Sequence, residues 1–339
     1  MTKTARRRWS REFESEVDGI AMGAAGPVLA HLYDPPAGDR WIDAAIPGKL
    51  AALDRNSGDV LWTSPCEVGY GRGFGAGFGR KNDAVVLGPS TQGHRIVRMS
   101  LDSGELIAAG TIPTFDASLV AADVCVVLGI KRLTGYDSES LRELWNYGRD
   151  GERYHHVARC GERLFVVYSV IATKKRGVLV LSAKKGQFLG LAALPKQTAI
   201  HDATADERGV ALLLDDLEAA LPRETLLAYL SQTSHGDALG RGPSLVVFDP
   251  SASDEAAPLW FEKLRLSDPD EVGELAIFSD SGKLYLVRGA LLEVRDALTG
   301  RALGDWAVPG LDERVGWTVA QGAGLLAEET RVSMFELPA

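Results

Sequence analysis

Six times along the chain an apolar run breaks at a short polar turn, often carrying glycine, and apolar residues then resume. The turns run from Asp54 to Gly58, Ser100 to Gly104, Asp137 to Leu141, Ser182 to Gly186, Asp249 to Ser253 and Asp296 to Gly300. Their starts lie roughly 37–47 residues apart, with one gap of about 67, close to the period at which each repeat is one four-stranded blade of a β-propeller. Asp and Ser at the head of such a turn hydrogen-bond the backbone ahead of them, and glycine supplies the positive φ. Few other folds repeat a hairpin at this spacing.

Tryptophan sets the blade count. Trp62 and Trp145 each follow the head of their turn by about eight residues, and Trp260 and Trp306 follow slightly longer hairpins. The chain ends on the strand-like Arg331 to Leu337 with no further strand behind it. It begins with Arg8 to Phe13, a strand with nothing before it, and Trp9 fills the tryptophan slot. The spacing therefore predicts one all-β domain over residues 1–339: a seven-bladed propeller of four-stranded antiparallel blades, closed by residues 1–15 as the last strand of the last blade. Eight blades is the rival count, for which the chain has no room. Residues 216–241, inside the fifth blade, account for the wide gap. There Leu217, Leu221, Leu227 and Leu230 approximate one helical face beside Tyr229, and Pro222 divides the stretch, so a helical insertion is expected. Such an insertion either packs on its own blade or docks a partner.

The segment Gly48 to Trp62 (GKLAALDRNSGDVLW) resembles the repeat of the pyrroloquinoline-quinone-like, quinoprotein-type propellers, whose hairpin reads ALDxxTGxxxW. Weaker copies lie at Val97 to Leu106, Leu133 to Trp145, Leu179 to Gly186, Leu245 to Asp249 and Leu292 to Gly300. The resemblance implies the fold. It also implies two kinds of work: quinone-dependent dehydrogenation, where the quinone is paired with calcium, and scaffolding, as in the family's outer-membrane assembly lipoprotein. The dehydrogenases are usually larger, exported and eight-bladed, and this chain shows no lipobox cysteine near its start.

The loops before the first strand of each blade and those joining its second and third strands share one face of a propeller. Arg72, Asp116, His155, His156, His201, Asp202, Arg314 and Trp317 fall in or beside them. Three ligands from the His and Asp set suit a divalent transition metal, and a His–Asp pair suits acid–base chemistry. Arg72, Arg314 and the run Lys174 to Arg176 suit an anion. A hydrated channel mouth needs polar residues in any case. The glycine run from Gly69 to Gly79 holds no GxGxxG, no GK[ST] and no βαβ unit, so it is read as an inner strand passing close to its neighbours, not as a phosphate loop.

Composition removes several classes. A net charge of −9 argues against a broad nucleic-acid surface, and no apolar run reaches the roughly 18 residues a membrane helix needs. The basic start has no apolar segment behind it, so no secretory leader is expected. Cys66, Cys125 and Cys160 are an odd, scattered set without CxxC, which points to the cytoplasm and away from a disulfide framework. The expectation is a non-enzymatic scaffold that presents one rim and the 216–241 insertion to a protein or peptide, with no cofactor. The alternatives are a small-molecule or metal binder at the rim, and a quinone-dependent enzyme there.

Overall fold

The structure, a computed structural model, describes residues 2–35, 46–71, 73–173, 176–191, 200–215, 224, 225, 227, 243–251, 258–264 and 275–337. The chain divides into two compact units: Lys3–Tyr147 with Ala307–Ala339, and Gly148–Trp306 with Met1–Thr2.

The first unit holds four antiparallel blades. Blade one runs Glu16–Met22, Val28–Tyr33, Ile46–Leu53 and Val60–Tyr70. Blade two runs Gly75–Phe78, Asp83–Ser90, Gly93–Ser100 and Leu106–Ile112, and blade three Ala117–Val120, Val124–Leu128, Leu133–Asp137 and Glu143–Tyr147. Blade seven joins Gly316–Ala320, Ala323–Ala327 and Arg331–Glu336 to the N-terminal strand Arg6–Glu12, which pairs antiparallel to Arg331–Glu336. The N-terminus thus supplies the fourth strand that the C-terminal blade lacks.

The second unit holds three blades, each with four successive strands. Blade four runs Glu152–Cys160, Arg163–Val170, Arg176–Ser182 and Phe188–Leu191. Blade five runs Ile200–Ala205, Val210–Leu214, Ser244–Phe248 and Trp260–Lys263, and blade six Ala276–Asp280, Lys283–Arg288, Leu291–Asp296 and Ala302–Ala307. The chain is an all-β, seven-bladed propeller with four-stranded antiparallel blades.

Second strands such as Val28–Tyr33, Val124–Leu128 and Val210–Leu214 are buried at every residue. They read as continuous apolar runs because side chains on both faces of these strands are buried. The core is accordingly divided into layers between blades. Leu29, Leu50, Val86 and Met99 fill the layer between blades one and two, and Leu213, Leu245, Leu284 and Leu286 that between blades five and six.

The repeated tryptophan and the repeated turn lock successive blades together. The Trp9 Nε1–H donates to Arg55 O at 2.9 Å, Trp62 to Leu101 O at 2.7 Å and Trp260 to Ala297 O at 2.8 Å. Each acceptor lies in or beside the turn of the following blade. Gly58, Gly104 and Gly300 close those turns with φ near 70°, and a Cβ on any of them would stand 2.6 Å or less from the indole or a neighbouring hydroxyl. Glycine is needed there both for the turn and to admit the ring. At the heads of the turns, Asp54, Asp137 and Asp296 accept backbone N–H groups with one carboxylate oxygen.

The 216–241 insertion lies outside the described residues except for Glu224, Thr225 and Leu227. Those three have helical backbone and Leu227 is exposed. Leu217, Leu221, Tyr229 and Leu230 lie outside the described residues.

Candidate functional site at the blade rims

The rim residues of the three-blade unit owe their positions to β-bulges. In blade four Tyr154 pairs with Tyr168 and His156 with Val167, leaving His155 as the extra residue. In blade five Ile200 pairs with Leu214 and Asp202 with Leu213, leaving His201 extra. The four-blade unit repeats the device in blade one, where Asp18 is extra between Val17 and Gly19. A bulge re-aims its extra side chain, and each of these turns to the second strand of its own blade or the residue just after it. His155 Nε2 lies 2.8 Å from Ser169 Oγ, His201 Nε2 bonds the Asp215 carboxylate, and Asp18 Oδ2 lies 3.2 Å from His31 Nδ1. Neighbouring residues in sequence therefore do different work: His155 keeps part of its ring in solvent while His156 turns further inward.

Asp202 bridges two blades. One oxygen accepts the Ala203 N–H at 2.8 Å and the other accepts the N–H of buried Ile277 in blade six at 2.9 Å. Burial pushes its carboxyl above the usual carboxylate range even though both N–H bonds oppose the shift. Substituting Asp202→Ala is expected to destabilise the three-blade unit by about 1–3 kcal/mol, because the buried Ile277 amide loses its acceptor. Urea denaturation measures this, and an unchanged midpoint would show the carboxylate to be dispensable to the fold.

His156 is held below the ordinary histidine range by burial and, secondarily, by nearby His201; His155 is lowered by burial and by His156, Arg176 and Arg153. A lowered folded-state pKa means that the unfolded chain takes up the proton first. Stability is then present above about pH 6.5 and is lost as pH falls below it. The turn carboxylates Asp54, Asp249 and Asp296, lowered chiefly by hydrogen bonds from Ser57, Ser251 and Thr299, lose their contribution only below about pH 4. Melting temperatures between pH 8 and 5 should fall, and His156→Gln should flatten part of that slope.

The other expected rim residues belong to the four-blade unit. Asp116 is exposed and its backbone N–H donates to Leu128 O at 2.8 Å. Arg314 follows the short 3-10 turn Leu311–Glu313 and donates to Leu311 O at 2.9 Å. Trp317 is buried, with its ring centroid 6.4 Å from that of Phe335. Arg72, Lys174 and Lys175 lie outside the described residues. Among the described residues, no three His, Cys, Asp or Glu side chains converge where a metal ion would sit.

First strands of the four-blade unit border an open cavity of about 280 Å³ lined by Ile20, Phe74, Ser118, Val120, Trp317 and small residues. Among the described residues, no charged side chain lines it. An anionic quinone paired with a metal ion needs carboxylates for the ion and cations for the quinone, and the described lining residues supply neither. The glycine run borders this cavity as a strand packed close to its neighbour: a Cβ on Gly75 would stand 1.9 Å from Ser118 Oγ, and one on Gly77 2.7 Å from Val120.

Sequence reading missed His31, Ser169 and Asp215. His31 is fully buried, its Nε2 3.1 Å from Val68 O and its ring stacked on Phe74 at 4.6 Å. The only signal for it was a histidine inside an apolar strand; the bulges that select its partner leave no trace in residue type.

Blades of this connectivity and tryptophan-locked turns define a quinoprotein-type propeller. A family model described as outer membrane protein assembly factor BamB matches residues 47–219, and the chain belongs to that pyrroloquinoline-quinone-like propeller family. The crystal structure of BamB from Moraxella catarrhalis is similar at a TM-score of 0.50 and 12% identity, covering 98% of this chain and 100% of that one. A computationally designed protein, Ika8, is similar at a TM-score of 0.56 and 12% identity, covering 96% and 98%. No curated protein matches the sequence. Among the described residues no helix is long and apolar enough to cross a membrane.

Proposed function

We propose that this chain is a non-enzymatic interaction propeller that presents a blade rim and the 216–241 insertion to a protein or peptide. The observation that carries this is the employment of the rim's polar groups. Asp202 holds the backbone of blade six, and His155 and His201 are tied to Ser169 and Asp215 of their own blades. These groups stiffen a frame, and a rigid frame carrying a long inserted segment is a common platform for binding. Membership of a family described by an assembly factor supports the same reading. The free cysteines Cys66, Cys125 and Cys160 support a reducing compartment such as the cytoplasm.

The test replaces residues 216–241 with a short glycine linker and compares capture of partners with that by the intact chain. The expected result is an unchanged melting temperature with capture lost. The double variant His156→Ala/His201→Ala should still capture. Undiminished capture by the deletion variant would sink the insertion's role. Loss of bound metal or of a small molecule in the histidine variant would favour ligand binding at the rim instead.

A further inference from the structure

We infer that the N-terminal strand Arg6–Glu12 is a docking edge for an extended acidic segment of a partner protein, which adds to blade seven as a fifth strand. This surface is separate from the rim and does not depend on the reading given for it. Among the described residues Arg6–Glu12 is the terminal strand of its sheet, paired on one side with Arg331–Glu336, so its other edge offers backbone N–H and C=O groups.

The strand is strongly basic in a protein whose net charge is −9. Arg6, Arg7 and Arg8 are all exposed. One carboxylate, Glu336, serves two of them, at 3.7 Å from Arg6 and 3.4 Å from Arg8. Arg7 instead lies over the Phe335 ring at 5.4 Å. Arg11 is already committed to Asp59 at 2.8 Å and to Gly58 O. The edge thus keeps a surplus of positive charge beside open backbone groups, and an extended chain bearing Glu or Asp at alternate positions complements both.

Charge on an edge strand can also serve only to repel other strands. The fold does not apply that practice to every outer strand: Leu106–Ile112 has no charge and no proline, and Leu106 and Ile107 are exposed on it. Repulsion would be needed there first.

The test titrates a labelled alternating Glu-Val peptide against the full chain. Three comparisons accompany it: the variant Arg6→Gln/Arg7→Gln/Arg8→Gln, a peptide of equal charge with proline at alternate positions, and a short DNA duplex. The expected result is binding that weakens with salt and falls about tenfold or more both in the triple variant and with the proline peptide, which cannot donate to a ladder. Binding should persist when residues 216–241 are replaced, so failure here and failure of the rim reading are distinguishable. No binding of the Glu-Val peptide overturns the proposal and leaves the arginines as edge protection. Equal binding of the proline peptide overturns strand addition. Tighter binding of the duplex than of the peptide overturns the assignment of a protein partner.

Discussion

Replacing Trp9 by alanine is expected to remove most of the stability of the four-blade unit. The indole is buried between blades seven and one, in a layer with Val28, Ala51, Leu53, Leu325 and Met334. Its Nε1–H satisfies Arg55 O, and its ring fills the space left by Gly58. Arg55 in turn donates to Gly23 O at 2.6 Å and to Ala320 O at 3.0 Å, so the same turn ties blade one to blade seven a second time. Losing a buried tryptophan costs about 3–5 kcal/mol. Leaving the Arg55 carbonyl without its donor adds about 1–3 kcal/mol. Together these rival the total stability of a typical domain, roughly 5–15 kcal/mol. A urea titration of Trp9→Ala should show a midpoint shifted strongly down or a chain already unfolded. Trp9→Phe, which keeps a six-membered aromatic ring but loses the pyrrole portion with its N–H donor, should shift less. Equal midpoints for Trp9→Ala and the parent chain would show that the N-terminal strand does not hold blade seven.

The second large effect is expected at Gly69. A Cβ there would stand 1.8 Å from the carbonyl oxygen of Ile46, a backbone atom in the facing strand. The neighbouring Gly48 is equally confined: its Cβ would meet His31 Nε2 and Val68 O, each at 2.3 Å. Both lie where the pairing of Ile46–Leu53 with Val60–Tyr70 shifts register, between Ile46 and Gly48. Overpacking commonly costs about 1–3 kcal/mol when side chains can move aside. Here backbone must move, so Gly69→Ala should cost at least about 3 kcal/mol, beyond that ordinary range. Gly75→Ala is the informative comparison. Its Cβ meets the Ser118 hydroxyl, which can rotate away, so the loss should be smaller. Gly316→Ala, whose nearest neighbour would be 3.5 Å distant, should be close to neutral. Thermal melts of the three variants should follow that order; a neutral Gly69→Ala would mean that the register shift can relax.

What could be read in advance follows from which interactions are local. The turn at Asp54 to Gly58 was legible because its hydrogen bonds run between residues two and three apart, from Asn56 and Ser57 to Asp54 Oδ1. Trp9 was legible because it repeats the place of Trp62. The rim was legible only as a set of loops. Trp317, expected there, is buried against Phe335, since neither its residue type nor its position tells an indole facing solvent from one facing core. His201 and Asp202 are consecutive, yet a one-residue bulge gives one of them to Asp215 and the other to blade six.

By itself the sequence determined the blade period, the polar turns, the apolar strand runs and the sharing of the last blade between the two termini. Each is written in residue type at short range or in recurrence along the chain. Only the tertiary structure decided which polar side chains serve the fold. That depends on bulges and on close backbone approach between strands, such as Gly69 on Ile46 and Asp202 on Ile277. These contacts join residues far apart in the chain, and their energies depend on geometry that no local pattern encodes.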